Sequence, residues 1–351
     1  MDPLRGTRAA LLFALVVAVL DILLGDTEQT YLAPLLIAAP AMAAGAASPA
    51  GVAVVGAVVL AVRYLLAIYD NVLSETGDTR IFAIRTVGYV AVTAAAMALA
   101  ARRQRGESKL RAVTSVALAA QHAILRDLPA AVTDVRVGLR YVSAADEALI
   151  GGDLYDVAAT PYGTRILIGD VKGSGLGAVY AASIVLGAFR ALAYDEPDLA
   201  ELGRRVESTV YRHLAADDFI TALFLQVGAD DVTVLHRGHV PPLVVRPDRT
   251  VATLDTAVPG PPLGFGHLVD TRPAPWSAAF KEGDTLVLYT DGVVEARGEG
   301  GFYPLTRRVV ALVDGDLDAS AGRLHADLLR HTGRALTDDA VLLLVARNPL
   351  L

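Results

Sequence analysis

Five aspartates in this chain stand where apolar, strand-prone runs begin or end. Asp153 follows two glycines in GGDLYDV (151–157), and Asp170 lies in LIGDVKGSG (167–175). Asp291 directly follows a run of strand formers in LVLYTDGVVEAR (286–297), while Asp338 and Asp339 open LTDDAVLLLV (336–345). An aspartate beside glycine also makes an ordinary turn, since glycine supplies positive φ and aspartate caps its own backbone. Carboxylates gathered at one sheet edge would do more, because their repulsion is tolerated only when cations neutralise it. A ligand set of oxygen alone, without histidine or cysteine at the same positions, selects hard Mg2+ or Mn2+ over zinc. The chain has no cysteine, which excludes disulfides, thiolate zinc sites and cysteine nucleophiles.

The elements that must position these acids are legible from residue 129 onward. Val135, Val137, Leu139 and Tyr141 alternate with polar or small residues, the period-two pattern of a half-buried strand. DLYDVAA and TRILIGDV form a hairpin pair around the turn TPYG. Two helices are expected over 176–195 and 198–215, the second announced by DEPD, whose acids and proline suit a helix N-terminus. Further strands follow in FITALFLQV, DVTVLHRG, PPLVVRP, TVATLD and DTLVLYT, then a helical stretch and the strand DAVLLLVAR. Antiparallel strands with helices inserted as a pair indicate an α+β layered domain rather than a parallel βαβ sheet.

GGDLYDV, GDVKGSGLGA, GHVPPLVV, GDTLVLYTDGVVEAR and DDAVLLLV, in that order and spacing, resemble the SpoIIE/RsbU-type branch of the metal-dependent protein phosphatases, the type 2C superfamily. The resemblance covers about 118–348. It implies a layered α-β-β-α sandwich with a binuclear Mg2+ or Mn2+ centre at one edge, hydrolysing phosphoserine or phosphothreonine without a covalent intermediate. Carried over, Asp170 bridges the two ions, and Asp291 and Asp338 complete one coordination sphere. The backbone carbonyl of Val171 and, less directly, Asp153 serve the other. Asp339 is expected behind the ligands, and Asp156 in a strand-end hydrogen bond. Where eukaryotic relatives carry a histidine that protonates the leaving group, this chain has Lys172; it is read instead as attracting substrate phosphate, leaving the proton donor unassigned. His236 stands where this branch commonly has asparagine, and with His239 is assigned to turn and packing rather than to a metal. Trp276 is read as a core or loop anchor. The implied substrate is a phosphorylated anti-sigma-factor antagonist of the STAS type, in a partner-switching pathway.

The bulk composition adds a second region. Hydrophobic residues make up 54% of the chain and mean hydropathy is +0.45, too high for an ordinary soluble protein. The excess lies before residue 102, in four apolar runs at 9–25, 31–48, 50–69 and 81–101, each near the ~20 residues needed to span a bilayer. The second run is the weakest, being short and holding Pro34 and Pro40. No small-residue cleavage site follows the first run, so it is read as a span rather than a signal peptide. Arg5 and Arg8 before the first run and RRQR (102–105) after the fourth place both ends in the cytoplasm by the positive-inside rule. An even number of spans follows. Asp21 and Arg63, in the first and third runs, are expected to pair, an unpartnered charge in hydrocarbon costing ~2.5–3.5 kcal/mol; separate snorkelling to the interface is the competing reading.

The chain is thus divided into a transmembrane domain at 1–103, a linker helix at 104–130 and a phosphatase-type domain at 131–351. Leu110, Val113, Ala117, Ala120 and Ile124 form one apolar stripe along the linker. That stripe either packs on the chain's own catalytic domain or forms the seam of a homodimer; His122 is assigned to the surface or the seam. A net charge of −7 argues against nucleic acid as a partner. The expected location is the cell membrane, multi-pass, with the substrate a phosphorylated protein. The rival readings are a catalytically silent receptor whose phosphatase-like domain only binds a partner, and a small transporter with an appended domain.

Overall fold

The computed structural model describes residues 3–24, 32–69, 79–142, 151–215, 217–270, 272–333 and 336–348. The chain divides into two compact units, 1–110 and 111–351. In the first, helix α1 (Pro3–Leu24) is followed by a 3-10 turn (Ala33–Ile37) running into α2 (Ala38–Ala44), then by α3 (Pro49–Tyr69) and α4 (Thr79–Ile124), whose last turns belong to the second unit. Leu4–Leu24, Pro49–Tyr69 and Thr79–Gln121 are long and apolar enough to cross a membrane. The expected second span is shorter: the apolar helix Ala33–Ala44 covers about 20 Å against a ~30 Å hydrocarbon core. Pro34 sits at the start of its 3-10 turn, where a missing N–H costs nothing.

Contacts fix the direction of that short segment. At its start, the amides of Leu32 and Ala33 donate to Asp21 Oδ1 at 2.5 and 3.1 Å. At its far end, Ala46 and Ala47 lie against Gly6 near the start of α1, so closely that a Cβ on Gly6 would come within 2.6 Å of Ala46. The segment therefore runs back alongside α1 between the levels of Asp21 and Gly6. α3 starts beside Thr7, which faces Gly51, and α4 returns, its Tyr89 hydroxyl donating to the Gly56 carbonyl at 2.8 Å. Arg103 closes the arrangement by donating to the carbonyls of Ala44 and Ala47 at 3.1 and 2.8 Å, a cation at the carbonyl end of a helix.

The expected Asp21–Arg63 pair does not form. Both side chains are buried, but Asp21 uses its Oδ1 on the Leu32 and Ala33 amides, while the Arg63 guanidinium lies over the Tyr89 ring, 5.4 Å from its centroid. The unsatisfied amides that open the 3-10 turn are the nearer partner for the carboxylate, and a ring face takes the cation.

The second unit is a two-sheet sandwich. Strands β1 (Ala131–Val132), β2 (Val135–Val142), β3 (Asp153–Thr160) and β4 (Gly163–Val171) precede helices α5 (Leu176–Leu192) and α6 (Leu199–Tyr211). Then come β5 (Ile220–Val227), β6 (Asp231–Arg237), β7 (Leu243–Val245), β8 (Val251–Thr253), β9 (Trp276–Ala279) and β10 (Thr285–Tyr289). The one-turn α7 (Asp291–Val294), the small hairpin β11 (Arg297–Gly298) and β12 (Gly301–Phe302), α8 (Leu305–Leu312), α9 (Leu317–His331) and β13 (Ala340–Arg347) complete it. One sheet has the order β1-β2-β13-β10-β7-β8 and the other β3-β4-β5-β6-β9.

Strand alternation explains the layers. Val341, Leu343 and Val345 of β13 join a core with Leu286 and Leu288 of β10, the facing sheet, and α5 and α6. Leu342, Leu344 and Ala346 point the other way, into a second core with α8 and α9. A strand buried on both faces reads as a continuous apolar run, which is how AVLLLVA appears in the sequence. The result is the expected α-β-β-α sandwich.

The end of α4 packs on this unit by a face rotated from the expected stripe. Ala120 and Ile124 do approach Val179 of α5, together with Leu118. Val113, however, is 52% exposed, while Thr114 and Gln121 are buried; a pattern search for apolar residues passes over a face that buries polar groups. Leu110, Ala117 and His122 have side chains outside the described residues.

Candidate metal centre

β3 and β4 pair with Asp153 directly opposite Asp170, so both side chains project to one face of the sheet. That face looks toward the other sheet, from which Thr290, the N-cap of α7, donates its hydroxyl to Asp153 Oδ2 at 2.8 Å. Thr290 Oγ1 also accepts the Val341 amide at 3.0 Å, stitching the site to β13. Asp291 is the next residue, so its carboxylate joins the other two: one oxygen each of Asp153, Asp170 and Asp291 lies within 4.8 Å of the others. Asp338 stands outside that trio, at the exposed rim, with Oδ1 accepting the Asp339 amide at 2.8 Å. It is still near enough for its charge to act on Asp170.

Two glycines make the convergence possible. A Cβ on Gly152 would lie 2.4 Å from the Val171 carbonyl oxygen and 2.9 Å from Asp170 Oδ1. On Gly292 it would lie 1.8 Å from the Asp339 carbonyl oxygen. The glycines beside the acids thus permit close backbone approach, rather than serving as plain turn residues.

The acids pay for this crowding in their titration. Burial, then the charges of Asp291, Asp338 and Asp339, push Asp170 up to about 7. Asp153 is held well above the ordinary carboxylate range by burial and by Asp170. Burial and Glu295 raise Asp291, and burial, Asp291 and Asp339 raise Asp338. Among the described residues no lysine or arginine forms an ion pair with Asp153, Asp170, Asp291 or Asp338. The cluster therefore presents oxygen donors alone, with ionisation that only a cation would favour, a set that fits hard divalent cations.

Other sequence candidates lie elsewhere. Asp156 is on the opposite face of β3, where it pairs with Arg190 of α5. Lys172 is exposed, its ammonium donating to the Asp217 carbonyl at 2.8 Å and lying 5.6 Å from the Phe219 ring centroid. His239 is buried between the sheets, with Nε2 3.0 Å from the Tyr289 carbonyl and Nδ1 2.9 Å from Thr221 Oγ1. Since a carbonyl only accepts, Nε2 carries the proton and the Thr221 hydroxyl donates to Nδ1. Burial lowers this imidazole to about 4, keeping it neutral, and His236 Nδ1 accepts the Gly238 amide in the turn at 3.2 Å. Trp276 opens β9, an edge strand beside β6. Thr290 was not anticipated, although its place directly before Asp291 in LYTDG was the available signal.

Residues 160–348 match the family model for Stage II sporulation protein E (SpoIIE). The chain belongs to the SpoIIE family. Phosphoserine phosphatase RsbU of Bacillus subtilis (strain 168) is 24% identical over 205 residues, which is 57% of this chain and 60% of RsbU. This SpoIIE-family chain thus matches less than two thirds of its curated relative's length. The SiaA PP2C domain of Pseudomonas aeruginosa shares the fold with a TM-score of 0.56 at 20% identity, covering 71% of this chain and 99% of that domain. A structure of the RsbU and RsbW domains of a Mycobacterium tuberculosis protein has a TM-score of 0.50 at 25% identity, covering 62% and 61% of the two chains. The PP2C phosphatase domain of SpoIIE from Bacillus subtilis, with a fragment of its regulatory domain, has a TM-score of 0.51 at 18% identity, covering 62% and 65%. The sandwich is accordingly the PP2C fold, as the five motifs implied.

Proposed function

We propose that the chain is a membrane-anchored, metal-dependent protein phosphatase acting on phosphoserine or phosphothreonine. The observation that carries this reading is the trio of Asp153, Asp170 and Asp291, with carboxylate oxygens within 4.8 Å of one another and, among the described residues, no ion pair to a lysine or arginine. Asp170, Asp291 and Asp338 would hold one Mg2+ or Mn2+, and Asp170, Asp153 and the Val171 carbonyl a second. Bound there, such ions lower the pKa of water and offset charge on phosphoryl oxygens. The chain's own part is positional. Thr290 fixes the Asp153 carboxylate, Gly152 and Gly292 let the backbone close in, and burial of Asp153 keeps bulk water from one side. Lys172, two residues past Asp170 and exposed, is assigned to attracting substrate phosphate, since exchange of its carbonyl partner for a phosphate oxygen would strengthen its hydrogen bond.

The substrate we assign is a phosphorylated anti-sigma-factor antagonist of the STAS type. This draws on the name of RsbU, a phosphoserine phosphatase, and on the joining of RsbU and RsbW domains in one Mycobacterium tuberculosis protein. The N-terminal helices are assigned to a membrane as four passes, the short Ala33–Ala44 segment included because it runs back alongside α1. Arg5, Arg8, Arg102, Arg103 and Arg105 then gather at one end, with Arg80 and Arg85 at the other; the richer end, with the catalytic domain, is cytoplasmic.

The deciding experiment incubates the purified full-length chain with a phosphorylated STAS-type protein, with Mn2+ or with chelator. Release of phosphate only with Mn2+ is expected. If Mn2+ is bound but neither the phosphoprotein nor p-nitrophenyl phosphate is hydrolysed, the domain is a binding module and the enzyme reading is wrong.

A further inference from the structure

Behind the carboxylates lies a hydrogen-bonded chain that the metal reading does not use. Gln121, near the end of α4, is 5% exposed, and its Nε2 donates to the Tyr141 hydroxyl oxygen at 2.7 Å and to the Gly151 carbonyl at 3.1 Å. The carbonyl can only accept, so the amide group of Gln121 must point this way, and both its hydrogens are committed. The Tyr141 oxygen accepts one of them, which leaves the phenol's single proton for Asp339 Oδ2, to which it donates. Asp339 is buried, and its amide in turn fixes Asp338 Oδ1 at 2.8 Å. Gly151 belongs to the same device: a Cβ there would lie 1.8 Å from Asp339 Oδ2. Asp339 also touches the segment of Asp291, its carbonyl oxygen lying 1.8 Å from where a Cβ on Gly292 would stand, so its placement bears on both acids at that end of the cluster.

We infer that Tyr141, oriented by Gln121, is a positioning residue that sets the divalent-metal affinity of the acid cluster by holding Asp339. The inference rests on the metal reading above. It assigns α4 a direct hydrogen-bonded hold on the site: loosening the turn that carries Gln121 frees the phenol, and Asp339 and Asp338 lose their fixed orientation. Groups that orient a ligand set from behind typically change metal affinity ~10–100-fold when removed.

The test titrates Mn2+ into the full-length protein in detergent micelles by calorimetry, alongside the Mn2+ dependence of p-nitrophenyl phosphate hydrolysis. Tyr141→Phe is expected to weaken Mn2+ binding about tenfold, with kcat restored to near wild type at saturating Mn2+. Gln121→Glu, which keeps shape but loses both donor hydrogens, is expected to shift affinity in the same direction, and adding it to Tyr141→Phe is expected to change nothing further. Unchanged affinity in Tyr141→Phe, or a lowered kcat that saturating metal does not restore, overturns the inference, as does an additive double variant. Melting in chelator identifies a variant that fails to fold, and Gln121→Glu then carries the test. A wild-type protein that takes up no Mn2+ refutes the metal reading itself, a distinct result.

Discussion

Asp153 and Asp170 face each other across the β3–β4 hairpin, and both carboxyls are raised above the ordinary carboxylate range, each first by burial and then by the charge of neighbouring aspartates. Two adjacent carboxylates, one of them buried, are costly to ionise together without a cation between them. This relationship gives the site its pH behaviour.

With folded values above the ordinary 3.8, these acids bind more protons folded than unfolded, so metal-free stability falls as pH rises from about 4 to about 7. His239, lowered by burial, acts in the opposite sense over part of that window, so variants are compared at each pH. Mn2+ binding displaces the protons, and the rise in melting temperature on adding Mn2+ is expected to grow between about pH 5 and pH 7. In Asp170→Asn that growth should vanish. A metal-induced shift independent of pH would contradict the assignment.

Gly292→Ala places a methyl group on the Asp339 carbonyl, forcing apart the two segments that bring Asp291 and Asp338 to the site. Overpacking of this kind costs about 1–3 kcal/mol. Loss of Mn2+ uptake out of proportion to that destabilisation is expected by calorimetry.

Asp156 and Asp153 lie three residues apart but on opposite faces of β3, and their substitutions should separate cleanly. Asp156→Asn breaks the contact with Arg190, lowering stability by about 1–3 kcal/mol without changing Mn2+ affinity. Asp153→Asn should weaken Mn2+ binding. Equal effects of both on metal uptake would remove Asp153 from the ligand set.

Asp21 and Arg63 use different partners, so Asp21→Asn and Arg63→Gln are expected to be additive within about 0.5 kcal/mol. Unfolding of the double variant in micelles measures this; a strong coupling energy would restore the direct ion pair.

For Lys172→Ala, a severalfold rise in KM for the phosphoprotein is expected, with Mn2+ affinity intact. An unchanged KM would leave the lysine as a solvated residue held by Asp217.

Much of this was legible because the acids follow strand patterns. Asp170 and Asp291 terminate apolar runs that a period-two reading finds, and the hairpin around TPYG puts Asp153 opposite Asp170. The elements that escaped are held by polar contacts or small residues. β9 begins with Trp276 and continues SAA, too short and too small to register as a strand. Thr290, Tyr141 and Gln121 reach the site through hydrogen bonds spanning many residues, which no local periodicity records. The Asp21 assignment failed for a related reason: depth in a helix pair suggested Arg63, but backbone amides at the next helical turn were closer.

β13 occupies the middle of its sheet, between β2 and β10, and the Asp338–Asp339 pair immediately precedes it. Pairing of β13 with both neighbours closes the sheet and brings Asp338 and Asp339 to the acid cluster in the same step. Clipping within that strand is therefore expected to open the sheet and release Asp338 and Asp339 from the acid cluster together.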